Sequence, residues 1–280
     1  MFRPFSLNIR QTLRFYDRPQ IMGIINVTPD SFYEGSRTMA RQAIAARISK
    51  MIADGADFID MGAYSSRPGA SEVSTQEEID RLKLGMEVLR DIDREIPVSV
   101  DTFRAKVARV AIEELGADMI NDISGGDLDG DMFDAVAGLH VPYILMHMRG
   151  TPVTMQTLVE YKDVTADVVA DLSKKLRELR LRGVSDVIVD PGFGFSKTLE
   201  QNYELMRNLD VFDSLGCPVL VGVSRKSMVT KLLDVPASDA LAGTIALNVV
   251  ALGTGAAFLR VHDVKEAVQA LNIFNMCTKK

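Results

Sequence analysis

The chain has 280 residues, of which 47% are hydrophobic and 25% charged, enough apolar material for one large core. Its net charge of −6 argues against nucleic acid or an anionic membrane as the main partner. The two cysteines, Cys217 and Cys277, are too few for a disulfide framework or a zinc cage, and no apolar run suits a signal peptide or a membrane span, so we expect a cytoplasmic protein.

The first 20 residues precede the first of the long apolar runs. They contain two short extended pieces, Phe5–Ile9 and Thr12–Tyr16, which predict a small β-hairpin. We expect this hairpin to plug the N-terminal end of the structure that follows.

From residue 21 onward, short apolar runs recur along the chain. They are nearly continuous in apolar character, as expected for strands of a parallel sheet that are buried on both faces. There are eight of them: Ile21–Thr28, Phe58–Ala63, Pro97–Thr102, Met119–Ser124, Pro142–Met148, Val187–Pro191, Pro218–Ser224 and Ala256–His262.

Stretches with helical periodicity lie between these runs. One of them follows Ser74 and Thr75, each with a glutamate three residues later, a pattern typical of a capping box. The predicted helices are Met39–Asp54, Gln76–Glu95, Val164–Arg182, Gln201–Asp213 and Val264–Phe274.

Strand followed by helix, repeated eight times, predicts an α/β fold of the (β/α)8 TIM-barrel type. We expect a single domain over residues 1–280, with the hairpin in 1–20 and the barrel in 21–280. An open doubly wound sheet is the alternative, because strand order cannot be read from a sequence. The count of eight and the absence of a Gly-x-Gly-x-x-Gly motif after the first strand favour the barrel.

Nearly every predicted strand ends in polar or charged residues. In a barrel these ends converge at one mouth, where catalytic groups lie. One such residue is often only the cap of the next helix, but eight endings out of eight are hard to explain by caps alone. The residues are Asn26, Ser65-Ser66-Arg67, Asp101, Asn121-Asp122, His147, Asp190, Ser224-Arg225-Lys226 and Arg260-Val261-His262-Asp263.

Some of these side chains suit a flat heterocycle with several N–H groups. An ionised carboxylate such as Asp101 or Asp190 accepts two adjacent hydrogen bonds, and the amide of Asn121 adds further capacity. Lys226 offers a donor to a ring oxygen or nitrogen. The same pattern therefore predicts a heterocycle pocket.

Other strand ends suit an anion. Arg67 follows the second predicted strand, and Arg260 with His262 follows the eighth. Barrels frequently bind phosphate near their last strands. We therefore expect one pocket that holds a heterocycle at one end and phosphate at the other.

The segment Asn-Val-Thr-Pro-Asp-Ser-Phe at 26–32 resembles the opening signature of the dihydropteroate synthases. One block alone would be weak, but the others occur in the family's order over residues 21–263, almost the whole chain. They are Ser66-Arg67-Pro68-Gly69, Val100-Asp101-Thr102, Asn121-Asp122, Met146-His147-Met148, Asp190-Pro191-Gly192-Phe193-Gly194-Phe195, Ser224-Arg225-Lys226-Ser227 and Arg260-Val261-His262-Asp263.

The resemblance implies a reaction and a set of roles. The family condenses 6-hydroxymethyl-7,8-dihydropterin diphosphate with p-aminobenzoate in folate biosynthesis, by an SN1-like route with Mg2+. It implies catalytic roles for Asp101, Lys226 and Arg260. The implied binding residues are Asp101, Asn121, Met146, Asp190 and Lys226 for the pterin; Asn26, Ser66, Arg67, Arg260 and His262 for the diphosphate; Asn26 for Mg2+; and Phe32, Pro68, Phe195 and Ser227 for p-aminobenzoate, where the family's sulfonamide inhibitors also bind.

Two segments rich in Gly, Ser and Pro, 28–37 and 65–74, follow the first two predicted strands. We expect them to close over the diphosphate and exclude water. Two positions depart from the family pattern. Tyr64 stands where a glutamate is usual, and Arg149 stands where a glutamine is common.

The run Ala240–Leu252 is apolar almost all round. It fits a buried barrel helix or, as we favour, a helix at a homodimer interface, because the family forms dimers. Two other functions compete with the synthase: a methyltetrahydrofolate:corrinoid methyltransferase and a non-catalytic pterin-binding paralogue. The methyltransferase needs no diphosphate grip, so Arg67, Ser224-Arg225-Lys226 and Arg260-Val261-His262 argue against it. A non-catalytic paralogue should have lost part of the anion or magnesium set, and this chain retains Asn26, Arg67, Arg260 and His262.

Overall fold

The computed structural model describes residues 2–27, 37–64 and 73–278. The strands are β1 (Phe5–Ile9), β2 (Thr12–Tyr16), β3 (Gln20–Asn26), β4 (Phe58–Gly62), β5 (Val98–Asp101), β6 (Met119–Asp122), β7 (Tyr143–Met146), β8 (Val187–Asp190), β9 (Leu220–Val221) and β10 (Phe258–Val261). The helices are α1 (Arg37–Ala53), α2 (Thr75–Ile92), α3 (Ala105–Glu113), α4 (Met132–Leu139), α5 (Val164–Leu181), α6 (Leu199–Arg207), α7 (Ser227–Leu233), α8 (Leu241–Gly253) and α9 (Val264–Thr278).

Eight parallel strands form the barrel. Their order in the sheet is β8-β7-β6-β5-β4-β3-β10-β9. A parallel bridge between Val189 and Val219, with a hydrogen bond of 3.0 Å from Val189 N to Pro218 O, joins the two edges. The predicted TIM barrel is confirmed, and the open sheet is excluded, because the first and last strands of the order meet.

The N-terminal hairpin closes one end of the barrel, as predicted. β1 and β2 pair antiparallel across a turn in which Arg10 and Gln11 both have positive φ. Leu7 and Ile9 are fully buried against residues near the starts of the barrel strands, including Phe258. The hairpin therefore seals the end opposite to the strand tips that carry the predicted site.

Helix α6 is shorter than predicted. It starts at a capping box made by Thr198 and Gln201 and ends at Arg207, and a 3-10 segment continues over Leu209–Leu215. Within that segment Leu209, Phe212 and Leu215 are buried at a spacing of three residues, which suits the three-residue turn of a 3-10 helix. The sequence prediction of one helix over Gln201–Asp213 was therefore wrong at its C-terminal half.

Within residues 2–27, 37–64 and 73–278, no helix combines the length and the apolar character needed to cross a membrane. The prediction of a single domain stays a prediction.

Candidate active site

The pairing register places the predicted polar residues side by side. Asn26 pairs with Gly62, Gly62 with Asp101, and Asp101 with Asn121, so four neighbouring strands end at one level. Parallel strands of a barrel all point their C-terminal ends to the same mouth. The site is built on this row.

Arg260, on β10, lies between two acids. Its Nε donates to Asp60 Oδ2 at 2.6 Å, and its Nη2 donates to Asp101 Oδ2 at 2.7 Å. Burial would lower the pKa of this guanidinium, but Asp60 and Asp101 outweigh that effect and raise it above its ordinary value. Arg260 is therefore a permanent cation that two carboxylates hold in place.

Asp60 was missed by the sequence analysis. It is fully buried in β4, its Oδ2 also accepts from Asn121 Nδ2 at 3.1 Å, and its Oδ1 has no hydrogen-bond partner within the described part of the chain. One signal was available, since an acid inside the apolar run Phe58–Ala63 has to find a partner when it is buried. Asp60 links the predicted residues Asn121 and Arg260.

Asp101 is the acid at the tip of β5. Burial raises its pKa to about 7, although Arg260 favours the ionised form, and Asp60 adds to the increase. The carboxylate predicted to accept hydrogen bonds from a ring thus changes its charge near neutral pH.

Asp190 and Lys226 are two further ionisable groups of the mouth, close enough for the charge of each to affect the pKa of the other. Asp190 Oδ1 accepts the backbone N–H of Gly192 at 2.7 Å, and Lys226 Nζ donates to the carbonyl oxygen of Phe193 at 2.7 Å. Burial raises the pKa of Asp190 and lowers that of Lys226 to about 8, and the charge of each opposes the shift of the other. The structure therefore brings these two predicted pterin residues together.

An apolar cluster borders the charged groups. It links Met146, predicted for the pterin, to Phe195, predicted for p-aminobenzoate. Lys226 Nζ lies 4.7 Å from the centre of the Phe195 ring. The other members of the cluster are Phe103, Ile123, Leu128, Met148 and Met155.

His262 follows β10 on the anion side. Its Nδ1 lies 3.0 Å from Ser224 Oγ. Burial, followed by the charge of Arg260, lowers the pKa of His262 to about 4. A neutral imidazole offers one N–H donor and no charge, so of His262 and Arg260 only the arginine is positively charged. The neighbouring Arg225 is bound to Asp263 at 2.7 Å.

Asn26 is the predicted magnesium residue. Its Oδ1 lies 3.2 Å from the point where a β-carbon on residue 62 would be, so Gly62 leaves space for this oxygen. Among the residues that the structure describes, no three His, Cys, Asp or Glu side chains are grouped to hold a metal ion. Mg2+ often takes one or two protein oxygens together with substrate phosphates, and one amide oxygen at the anion side fits that mode.

Four predicted site residues, Phe32, Ser66, Arg67 and Pro68, lie outside the described residues. So do segments 28–36 and 65–72, which make up most of the two predicted closing loops. Their roles stay predictions. Ser227, the remaining predicted p-aminobenzoate residue, starts α7 and lines a cavity of about 260 Å3.

Tyr64, the first departure from the family pattern, belongs to an aromatic and charged cluster beside the mouth. Its ring meets that of Phe103 edge to face at 5.1 Å, and the Arg104 guanidinium lies 5.4 Å from its centre. Arg104 also pairs with the fully buried Glu78, which accepts from the Thr102 hydroxyl at 2.7 Å. An aromatic ring thus faces the Arg104 cation at the position where the family usually has an acid.

Arg149, the second departure, lies over the ring of Tyr161 with its guanidinium carbon 3.8 Å from the ring centre. Its Nη1 donates to Glu160 O at 2.6 Å, and Nη2 lies 3.6 Å from Asp167. These contacts attach Arg149 to α5 and to the segment before it, and they place its positive charge beside the carboxylate of Asp167.

The fold and the site define the class. An α/β barrel whose mouth sets acids, an amide and buried cations beside an apolar cluster is built for a flat polar heterocycle with an anionic group. Residues 22–262 match the family model described as pterin binding enzyme. The chain is thus a pterin-binding barrel enzyme.

Comparison with individual proteins identifies the family within this class. The chain is 41% identical to dihydropteroate synthase of Clostridium beijerinckii, over 94% of this chain and 96% of that one. A structure of Xanthomonas albilineans dihydropteroate synthase with 4-aminobenzoic acid superposes with a TM-score of 0.90 at 37% identity and 98% coverage of both chains. A second, with 7,8-dihydropteroate, has a TM-score of 0.87 at 34% identity, covering 98% and 99%. The chain belongs to the dihydropteroate synthase family.

Proposed function

We propose that this chain condenses 6-hydroxymethyl-7,8-dihydropterin diphosphate with p-aminobenzoate to give 7,8-dihydropteroate and diphosphate. One observation carries the proposal: Arg260 is fixed between Asp60 and Asp101 at the same mouth as Asp190, Lys226 and the apolar cluster. The acids and Asn121 face the hydrogen-bond donors of the pterin, and Lys226 faces an acceptor.

The charges of the site fit a route in which diphosphate leaves first. The bond between the pterin methylene and the diphosphate oxygen breaks, and both electrons stay with the diphosphate. The positive charge left on the pterin is stabilised by Asp101 and Asp190, while Arg260 stabilises the departing anion. The amine of p-aminobenzoate then bonds to the methylene, and its proton passes to water or to diphosphate.

Mg2+ is the proposed cofactor, and Asn26 supplies the protein oxygen. When bound there, the ion would neutralise part of the diphosphate charge. His262 would donate its single N–H to the same anion, and Arg67 is proposed to bind it as well. Ser227 and Phe195, with Phe32 and Pro68, are proposed to hold the p-aminobenzoate.

The experiment is direct. The purified protein is mixed with the dihydropterin diphosphate, p-aminobenzoate and Mg2+, and dihydropteroate is measured. Replacement Arg260→Ala should slow the chemical step by a factor equal to about 2–4 kcal/mol, as loss of fixed electrostatic stabilisation does. If no product forms while methyl transfer from methyltetrahydrofolate to a corrinoid is seen, or while the pterin binds without reacting, the proposal is wrong.

The cytoplasmic location stays a prediction.

We also propose that the chain forms a homodimer through α8 and α9. Val250 of α8 is 47% exposed, and Ile273 and Met276 of α9 are 66% and 70% exposed. The two helices pack together, so their exposed apolar residues form one surface. In sedimentation, Met276→Glu should produce monomers, whereas Leu181→Glu, at an exposed leucine of α5, should not.

A further inference from the structure

Lys197 is a buried lysine that neither the sequence analysis nor the proposed chemistry uses. It is 5% exposed and lies in the loop between β8 and α6. Its Nζ is 3.0 Å from Gly192 O, 2.9 Å from Phe195 O and 3.1 Å from His147 Nδ1. An ammonium group has three donors, so all of them are used.

The acceptors of Lys197 are uncharged. Among the described residues no carboxylate forms an ion pair with its Nζ, and burial lowers the pKa of Lys197 to about 7. Its partner His147 is neutral, because burial and the nearby lysines lower the pKa of that ring to about 2. An apolar side chain would fill the space without this desolvation cost, so stability alone does not explain the lysine.

The loop that Lys197 holds carries two groups of the site. The carbonyl of Phe193 accepts from Lys226, and Phe195 belongs to the apolar cluster. The loop backbone is unusual, since Gly192, Gly194 and Ser196 all have positive φ. Ser196 is the costly one, because a side chain disfavours that region. Such a backbone persists only when contacts from outside impose it.

The pterin side of the loop has support besides Lys197, which reaches it through the carbonyl of Gly192, whose N–H donates to Asp190. Asp190 is fixed by the barrel itself, because it pairs with Met146 in the ladder and its carbonyl accepts from His147 N at 3.0 Å.

Phe195 lies outside the ladder. Its neighbours have anchors of their own, because Gly194 N donates to Asn202 Oδ1 and Ser196 Oγ bonds to the backbone of Arg149. The Phe195 backbone itself bonds to Gly192 O, at 3.1 Å, and to Lys197, so among the described residues Lys197 is the side chain that holds it.

We infer that Lys197 is a positioning residue that fixes Phe195 and thereby shapes the p-aminobenzoate side of the site. The inference rests on the proposed function. The position of Lys197 also supports the inference, because Lys197 lines the same cavity of about 260 Å3 as Ser227, a residue of the proposed p-aminobenzoate site.

The test compares Lys197→Met with Lys174→Met, a matched change at an exposed lysine of α5 away from this cavity. Loss of the hydrogen bonds of Lys197 should raise the KM for p-aminobenzoate about tenfold or more in Lys197→Met. The KM for the dihydropterin diphosphate and the kcat at saturating p-aminobenzoate should stay within about threefold, because Asp190 is held by the strand. Lys174→Met should leave all three constants unchanged.

A general loss of structure would lower kcat or raise both KM values together, and that result would overturn the inference. The variant Phe195→Ala tests the role of Phe195 separately from that of Lys197. If Phe195→Ala raises the KM for p-aminobenzoate and Lys197→Met does not, only the role of Lys197 is wrong. If Phe195→Ala leaves that KM unchanged, Phe195 does not mediate the effect and the inference is also wrong. If the wild-type protein makes no dihydropteroate, the proposed function fails and the inference fails with it.

Should Lys197→Met not fold, His147→Leu decides the matter, since it removes one of the three acceptors and leaves two. A rise in the KM for p-aminobenzoate alone supports the inference. Two unchanged KM values contradict it.

Discussion

At the scale of single residues, the described part of the mouth combines three aspartates with two cationic side chains. Asp60, Asp101 and Asp190 lie around two cations, Arg260 and Lys226. Each cation is immobilised by hydrogen bonds, so little reorganisation is needed when charge develops on a substrate. The arrangement suits a pterin that becomes positive as its leaving group departs.

Asp60→Asn tests whether Arg260 needs its buried partner. The new amide would place its own N–H donor against the donors of Arg260 and Asn121. We therefore expect kcat/KM to fall by the factor that corresponds to about 1.5–3 kcal/mol. Asp57→Asn is the matched control, because Asp57 pairs with Arg18 at the opposite end of the barrel. Equal kinetics in Asp60→Asn and wild type would show that Asp60 has no part in the site.

Asp101 predicts a pH dependence of pterin binding. Because its pKa is about 7, the Asp101 carboxyl group is fully ionised, and accepts hydrogen bonds with both oxygens, only above that pH. The affinity for 6-hydroxymethyl-7,8-dihydropterin should therefore rise from pH 6 to 8. Calorimetry with this compound avoids ionisation of a diphosphate. The dependence should be absent in Asp101→Asn, and a flat profile in the wild type would contradict the prediction.

The same shift has a defined sign for stability. Between the ordinary value of 3.8 and about 7, the folded state binds the Asp101 proton more tightly than the unfolded state does. The contribution of Asp101 to the free energy of unfolding is therefore present at low pH and is lost as the pH rises through that window.

At the scale of elements, the start of α2 is tied to the mouth. Ser74 caps the helix by accepting from Glu77 N at 3.2 Å, which confirms the predicted start. Arg104 donates to Val73 O at 2.8 Å and to the buried Glu78 of the same helix. The residue that follows segment 65–72 is thus fixed by a side chain next to β5.

Arg104→Met should be strongly destabilising. It leaves Glu78 buried without its cation, which typically costs about 3–5 kcal/mol. The control is Arg41→Met, where an exposed pair with Asp91 at 2.6 Å is lost at a cost of about 0–1 kcal/mol. Urea unfolding followed by circular dichroism measures both. Similar midpoints for the two variants would contradict the role of Arg104.

At the scale of the whole molecule, the two ends of the barrel have different tasks. The strand starts and the hairpin form an apolar cluster, whereas the strand tips carry the charged groups. This division is typical of the fold, in which one end serves stability and the other chemistry.

Leu7→Ala measures the contribution of the hairpin. Leu7 is 1% exposed, so the change should reduce the free energy of unfolding by about 2–5 kcal/mol. Leu13→Ala, in the same hairpin at 72% exposure, should change it by less than about 0.5 kcal/mol. The kcat of the folded Leu7→Ala protein should equal that of the wild type, and a selective loss of activity would contradict the separation of the two ends.

Much of the fold and part of the site could be predicted from local sequence. The apolar runs located the barrel strands because strands buried on both faces have little polar sequence. Asp101, Asn121, Asp190, Lys226 and Arg260 could be selected because they lie at or just after the C-terminal ends of those runs. The limits of β9 and α6 could not be predicted, because they depend on tertiary pairing and packing.

The sequence by itself determined the alternation of strands and helices, the polar strand tips and the resemblance to one family. Only the tertiary structure decided that the barrel closes between Val189 and Val219, that Asp60 holds Arg260, and that Lys197 holds the loop of Phe195. Local patterns report which face of an element is buried. A partner 200 residues away, as Arg260 is from Asp60, is set by strand order and register, which no local pattern contains.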